Sequence, residues 1–179
     1  MHIATICGSL RKASFNRMLL NAAEEAAPAS LQFEDAPIGD LPLFSQDLEE
    51  SPPVAVTAFR DTIARADGVL VASPEYNYGV PGVLKNAIDW GSRPYSKGVL
   101  IGKPSGVIGA SVGMGGTIRM QLQLRTTFQY LNSPCMMMPE ILVPTAQDKF
   151  SDGRLTDPAT LDFLTKYMAA FATWIERKG

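Results

Sequence analysis

Histidine is nearly absent from this chain of 179 residues, His2 being the only one. That excludes a histidine cluster for zinc, so no metal ligand set is assigned. It also excludes a Ser-His or Cys-His nucleophile pair unless His2 itself serves. Cysteine is equally scarce. Cys7 and Cys135 stand far apart in apolar surroundings, and form neither a disulfide framework nor a Cys-x-x-Cys redox pair. A reduced, cytoplasmic protein is the expectation. No apolar run approaches the roughly 20 residues that span a bilayer. An excess of one charge is missing too. The formal net charge is -2, and Lys and Arg are spread along the chain, unlike the basic footprint of a nucleic-acid binder. Neither nucleic acid nor a membrane is an expected partner.

What is present is enough apolar chain to bury one sizeable core, so a single domain over residues 1–179 is expected. There is no internal repeat and no low-complexity tract. The apolar N-terminal run from Met1 to Cys7 lacks a charged leader and reads as the first core strand. Helical patterns at 15–27, 54–66, 81–90, 118–131 and 157–177 alternate with β-type runs at 2–7, 31–35, 69–72, 105–110 and 136–143. Asp157 is the predicted N-cap of the last helix, with Pro158 at its first position. The Pro- and Gly-rich stretch from Ala36 to Pro53 reads as a long surface loop. Met136-Met137-Met138 would alternate on a strand and pack in the core. This rhythm predicts a flavodoxin-like, doubly wound, five-stranded parallel sheet, order 2-1-3-4-5, with helices on both faces. Ligands of such sheets bind outside the carboxyl ends of the strands where the order reverses. Chemistry is therefore sought in the loops after strands one, three and four.

The first of these loops runs Gly8-Ser9-Leu10-Arg11-Lys12-Ala13-Ser14-Phe15-Asn16. Short hydroxyl and amide side chains, a forked cation and a helix N-terminus are what an anionic phosphate needs. A capped polar loop, with Ser14 as N-cap and Arg11 solvated, accounts for the same residues. Two better-known phosphate loops are missing: neither G-x-x-x-x-G-K-S/T nor G-x-G-x-x-G follows the first strand. Low-molecular-weight tyrosine phosphatases share the topology, and Asp157-Pro158 mimics their late Asp-Pro pair. Their signature places five residues between Cys and Arg; here only three separate Cys7 from Arg11, and Ala13 fills the required place. That reading is rejected.

The second loop, Ser73-Pro74-Glu75-Tyr76-Asn77-Tyr78-Gly79-Val80-Pro81-Gly82, puts aromatic rings and glycines at the sheet edge. An isoalloxazine ring wants such a shelf, with main-chain N–H groups near its N5 and carbonyl edge. A tyrosine-bearing turn that merely covers the sheet end is the alternative. The third loop, Gly109 to Thr117, is either a glycine-dense strip under a flavin or a plain connector.

Together, G-S-L-R-K-x-S-x-N and S-P-E-Y-N-Y-G-V-P-G-V-L-K-N-A-I-D-W resemble the motifs of the NADPH-dependent FMN reductase family, which includes quinone, azo-dye and chromate reductases. The resemblance runs from the first strand to the last helix. It implies that Ser9, Arg11, Ser14 and Asn16 hold the FMN phosphate, with Leu10, Lys12 and Phe15 shaping the loop. Glu75, Tyr76, Asn77 and Tyr78 would contact the ring largely through the main chain, and Ser111 would contact the flavin. It implies a homodimer or homotetramer assembled through the third and fourth helices, with Arg125 and Glu140 as an interchain ion pair or as two solvated charges. The implied reaction is a ping-pong hydride transfer from NADPH or NADH, through FMN, to a small-molecule electron acceptor: a quinone, a flavin, an azo compound or chromate. Such chemistry needs no acid–base side chain, and no catalytic residue is assigned. A non-enzymatic flavoprotein, either electron carrier or flavin sensor, is the competing expectation; near-neutral charge and Arg11 count against it.

Overall fold

The fold is that of a computed structural model, which describes residues 1–178. Five strands, β1 (His2–Cys7), β2 (Gln32–Asp35), β3 (Gly68–Ala72), β4 (Ser105–Ala110) and β5 (Ile141–Val143), form one sheet. All pairings are parallel and the order is β2-β1-β3-β4-β5. Pleating sends successive side chains to opposite faces. Ile3, Cys7, Leu70 and Ala72 thus meet helices α1 (Phe15–Glu25) and α5 (Pro158–Lys178), while Ala4, Ile6, Val69 and Val71 meet the other layer. That layer is α2 (Val54–Arg65), α3 (Gly82–Gly91) and α4 (Ile118–Tyr130). The central strands are mostly apolar, with Thr5 a buried exception, because neither face meets water.

Helix starts follow the predicted chemistry. Ser14 Oγ accepts from Arg17 N–H at 3.3 Å, and Asp157 Oδ2 accepts from Thr160 N–H at 2.8 Å immediately before Pro158 opens α5. The Thr160 hydroxyl, which also donates to Asp157 Oδ2, and this N–H hold the Asp157 carboxyl below its ordinary range.

Four expectations need correction. Of the stretch 136–143, expected to contain the fifth strand with an interruption at Pro139, only Ile141–Val143 is strand. Met136 N–H still donates to Ser105 O at 2.8 Å, then the chain leaves the sheet until Ile141 rejoins β4 opposite Ile108. Pro139, which has no N–H to give a ladder, lies in that gap. With no strand there, the methionines are not all core: Met136 is buried, whereas Met137 and Met138 are exposed. The stretch 36–53 is not simply a surface loop. Ala36, Ile38 and Leu41 are buried, Phe44 packs edge-on against Trp90, and Asn86 accepts from Phe44 N–H at 2.8 Å while donating to Pro42 O at 2.9 Å. Finally, Arg125 and Glu140 are not two solvated charges. They pair within this chain, and the Arg125 side chain is only 6 % exposed.

A short antiparallel hairpin, β6 (Phe150–Ser151) and β7 (Arg154–Leu155), was not anticipated. Its turn is Asp152-Gly153, both with positive φ, a recognisable hairpin signal. It presses Phe150 against Phe15 at a ring distance of 5.4 Å, buttressing the start of α1.

Replacing Asn86 by alanine removes three partners from the 36–53 stretch at once. We expect a loss of about 1–3 kcal/mol in urea denaturation, with the first proteolytic cuts moving into that stretch.

Candidate active site

β1, β3 and β4 end side by side, Cys7 opposite Ala72 and Ala72 opposite Ile108. The ladder continues one step into each loop. Gly8 N–H donates to Ala72 O at 2.8 Å, Ser73 N–H to Ile108 O at 3.1 Å and Ser111 N–H to Val143 O at 2.9 Å. Since β1 pairs with β2 on one side and β3 on the other, the three loops leave the sheet where its order reverses. Glycine is required here by crowding. A Cβ on Gly8 would overlap the Ser73 hydroxyl, and one on Gly109 would overlap Thr117 Oγ1 and the Ser73 carbonyl.

In the first loop Ser14 and Asn16 are both buried, at 3 % exposure. Ser14 is the helix cap, its hydroxyl proton still free to donate. Asn16 closes its amide on the third loop: Nδ2 donates to Ala110 O at 2.9 Å and Oδ1 accepts from Ala110 N–H at 2.8 Å. The Asn16 side chain therefore fastens one loop to the other. The backbone is what remains open. Among the described residues, the N–H groups of Lys12, Ala13, Ser14, Phe15 and Asn16 meet no protein acceptor. Ser9 Oγ accepts from Arg11 N–H at 3.4 Å, and the Arg11 guanidinium lies 5.6 Å from the Phe15 ring centre. Leu10 and Lys12 are exposed beside it. Free N–H groups at a helix N-terminus next to a forked cation fit a phosphate.

The second loop is a tight turn. Tyr76 and Gly79 exchange backbone hydrogen bonds at 3.1 and 2.9 Å, with Asn77 at φ 50° and Tyr78 at φ 64° between them. Two consecutive positive φ values turn the chain back and leave both tyrosines exposed at its edge. Glu75 points the other way, its side chain 9 % exposed. It accepts from Arg119 N–H at 3.0 Å and Met120 N–H at 3.1 Å, capping α4, whose own Thr117 makes no capping bond. Arg119 Nη1 reaches the same carboxylate at 3.2 Å, and its guanidinium lies 4.0 Å from the Tyr78 ring centre. Gln123 completes the support by accepting from Val80 N–H at 2.7 Å. These bonds occupy the Glu75 carboxylate as a scaffold. Arg119 and Gln123 had no assigned role in the sequence. Glu75 and Arg119 are 44 residues apart, and no local pattern announces a cap supplied from so far.

In the third loop, Ser111 Oγ accepts from Gly113 N–H at 3.1 Å and Ser111 O accepts from Ala146 N–H at 3.0 Å. The loop is thus tied to the segment after β5 rather than left as a loose connector.

Phosphate-suited donors, an aromatic turn and a glycine-dense strip meet on one edge of a five-stranded parallel sheet, which defines a flavodoxin-like protein with a donor set that fits a phosphorylated planar cofactor. Comparison with known proteins makes this more specific. The family described as NADPH-dependent FMN reductase matches residues 1–148, and the chain belongs to that family. It is 43 % identical over 175 residues to a quinone reductase of Pseudomonas putida, covering 97 % of this chain and 94 % of the relative. It is 41 % identical over 176 residues to a 2-hydroxy-1,4-benzoquinone reductase of a Burkholderia species, covering 98 % and 96 %. Among solved structures, the FerB flavoenzyme NAD(P)H:(acceptor) oxidoreductase of Paracoccus denitrificans superposes with a TM-score of 0.91 at 39 % identity, covering 99 % of this chain and 98 % of that one. The chain is accordingly a flavoprotein oxidoreductase that uses FMN and NAD(P)H. No helix among the described residues is long and apolar enough to cross a membrane.

Two substitutions separate scaffold from binding surface. Asn16→Ala strands two buried backbone groups of Ala110 and is expected to cost about 2–4 kcal/mol in urea denaturation. Glu75→Ala removes the only side-chain cap of α4, with an expected loss of about 1–2 kcal/mol in the same measurement.

Proposed function

We propose that this protein is an NAD(P)H-dependent quinone reductase working by a ping-pong scheme on one open face of bound FMN. The observation that carries the reading is the pairing, at the β1/β3 reversal, of a phosphate cradle made from unpaired N–H groups with an aromatic turn whose own N–H groups at Asn77 and Tyr78 are also unpaired. In this reading Arg11, the Ser9 and Ser14 hydroxyls and the main chain from Lys12 to Asn16 hold the phosphate. Leu10 and Phe15 shape the wall. Asn77 and Tyr78 would present main-chain N–H groups to the ring beside Tyr76, whose own N–H closes the turn on Gly79; Glu75 fixes the turn from behind, and Ser111 would approach from the third loop. Bound FMN supplies reversible two-electron chemistry. The overall reaction is NAD(P)H plus a proton plus quinone giving NAD(P)+ and hydroquinone. The protein's part is to orient both substrates in turn over the same face. Water can deliver the remaining proton, so no side chain needs to titrate during turnover.

Quinones come first among acceptors because the relatives named above carry that activity in their names. Flavins, azo compounds and chromate are secondary candidates for the same exposed face. Ile118, Leu122 and Tyr130 leave apolar surface exposed along α4, which supports assembly into a homodimer or homotetramer through α3 and α4. Free thiols at Cys7 and Cys135 suit a reducing cytoplasm.

Steady-state NADPH oxidation by the FMN-loaded protein, with a quinone varied at several NADPH concentrations, is expected to give parallel double-reciprocal lines. Intersecting lines would contradict a shared face. Arg11→Gln is expected to raise the FMN dissociation constant about tenfold, read by flavin fluorescence titration, since one charge-assisted bond to phosphate is worth roughly 1.5–3 kcal/mol.

A further inference from the structure

Arg119, on the first turn of α4, joins the second loop to the head of that helix together with Glu75, and the proposed function gives it no task beyond scaffolding. Nη1 bonds Glu75 Oε1 at 3.2 Å, and the same nitrogen lies 3.8 Å from where a Cβ on Gly115 would sit. The guanidinium rests 4.0 Å from the centre of the Tyr78 ring. It is therefore fixed from two sides, by a carboxylate and an aromatic face. Planar stacking on an aromatic ring leaves the guanidinium edge available to a further partner. Among the described residues Nε and Nη2 bond no protein acceptor, and the side chain is 51 % exposed. Glu75 does not consume the whole charge, since its carboxylate is shared with two backbone N–H groups of α4.

The surroundings of this cation are apolar. Tyr76, Tyr78, Val112, Met114 and Ile118 are all exposed on the same two loops and the first turn of α4. A flat, apolar ring carrying one negative oxygen matches that combination: the ring covers exposed apolar surface while the oxygen meets the free guanidinium edge. A neutral ring would gain only the first of these.

Resting on the quinone-reductase reading, we propose that Arg119, held on Tyr78 by Glu75, is a specificity-determining residue that makes this enzyme prefer planar acceptors bearing a single ionised oxygen, of the hydroxyquinone class, over neutral quinones of the same shape. The reduction is unchanged by this: two electrons and two protons still convert quinone to hydroquinone.

The test uses the FMN-loaded protein reduced in advance with dithionite, then mixed with each acceptor, so that the electron-accepting half is read without a nicotinamide. The probes are 2-hydroxy-1,4-naphthoquinone, an anion at neutral pH, and its uncharged 2-methoxy ether. The ratio of their second-order rate constants is expected to fall about tenfold in Arg119→Gln, the loss of one charge-assisted contact at a half-exposed site. Arg119→Lys is expected to recover part of that ratio. A ratio unchanged in Arg119→Gln overturns the proposal, as does a loss equal for both probes. A wild-type protein that discriminates between the probes but does not oxidise NADPH would overturn the quinone-reductase reading alone.

Discussion

The paired hydrogen bonds between the Asn16 amide and the backbone of Ala110 hold the site's geometry together. They join the start of α1 to the end of β4, across β3, in a place almost closed to water. Each such bond adds only about 1 kcal/mol to stability, but leaving its buried partners unpaired costs about 1–3 kcal/mol each. The contact therefore acts mainly by excluding other arrangements. With Asn16 facing the sheet edge, the first turn of α1 keeps its N–H groups directed outward and without protein acceptors. Glu75 does the equivalent for the neighbouring pair of loops, tying the turn after β3 to the head of α4.

Several polar side chains that look like ligands in the sequence are thus the frame around a site whose donors are largely main chain. A frame of this kind suits a cofactor held for its chemistry. The protein must fix a phosphate and a ring relative to one another, and backbone groups anchored to a fully buried sheet have little freedom to drift. The Phe150–Phe15 contact from the small hairpin and the Asn86 clamp on the 36–53 stretch extend the same rigidity to the flanks of the first loop and of α3. Gly8 and Gly109 serve close approach, since a side chain at either would push neighbouring loops apart.

Much of this was legible in the sequence. β1, β3 and β4 are buried on both faces and read as mostly apolar runs, so their limits were found nearly to the residue. Strand order and the position of the loops followed from the βα rhythm. What was lost was whatever depends on a distant partner. Glu75 caps a helix far along the chain, and Gln123 reaches back to Val80. The Met136–Met138 run was read with a strand's period, although Pro139 made that period unreliable. The hairpin at Asp152-Gly153 carried a usable signal, but its strands are two residues each and too short to show alternation. Local chemistry located the loops; only tertiary contact assigned each side chain to frame or to surface.

In the proposed function the first turn of α1 and Arg11 recognise a phosphate. Parallel titrations of the apoprotein with FMN and with riboflavin, which lacks only that group, test it most directly. A phosphate cradle of this kind predicts FMN tighter by roughly a hundredfold or more, the worth of two charge-assisted hydrogen bonds. Equal affinity for the two flavins would contradict it.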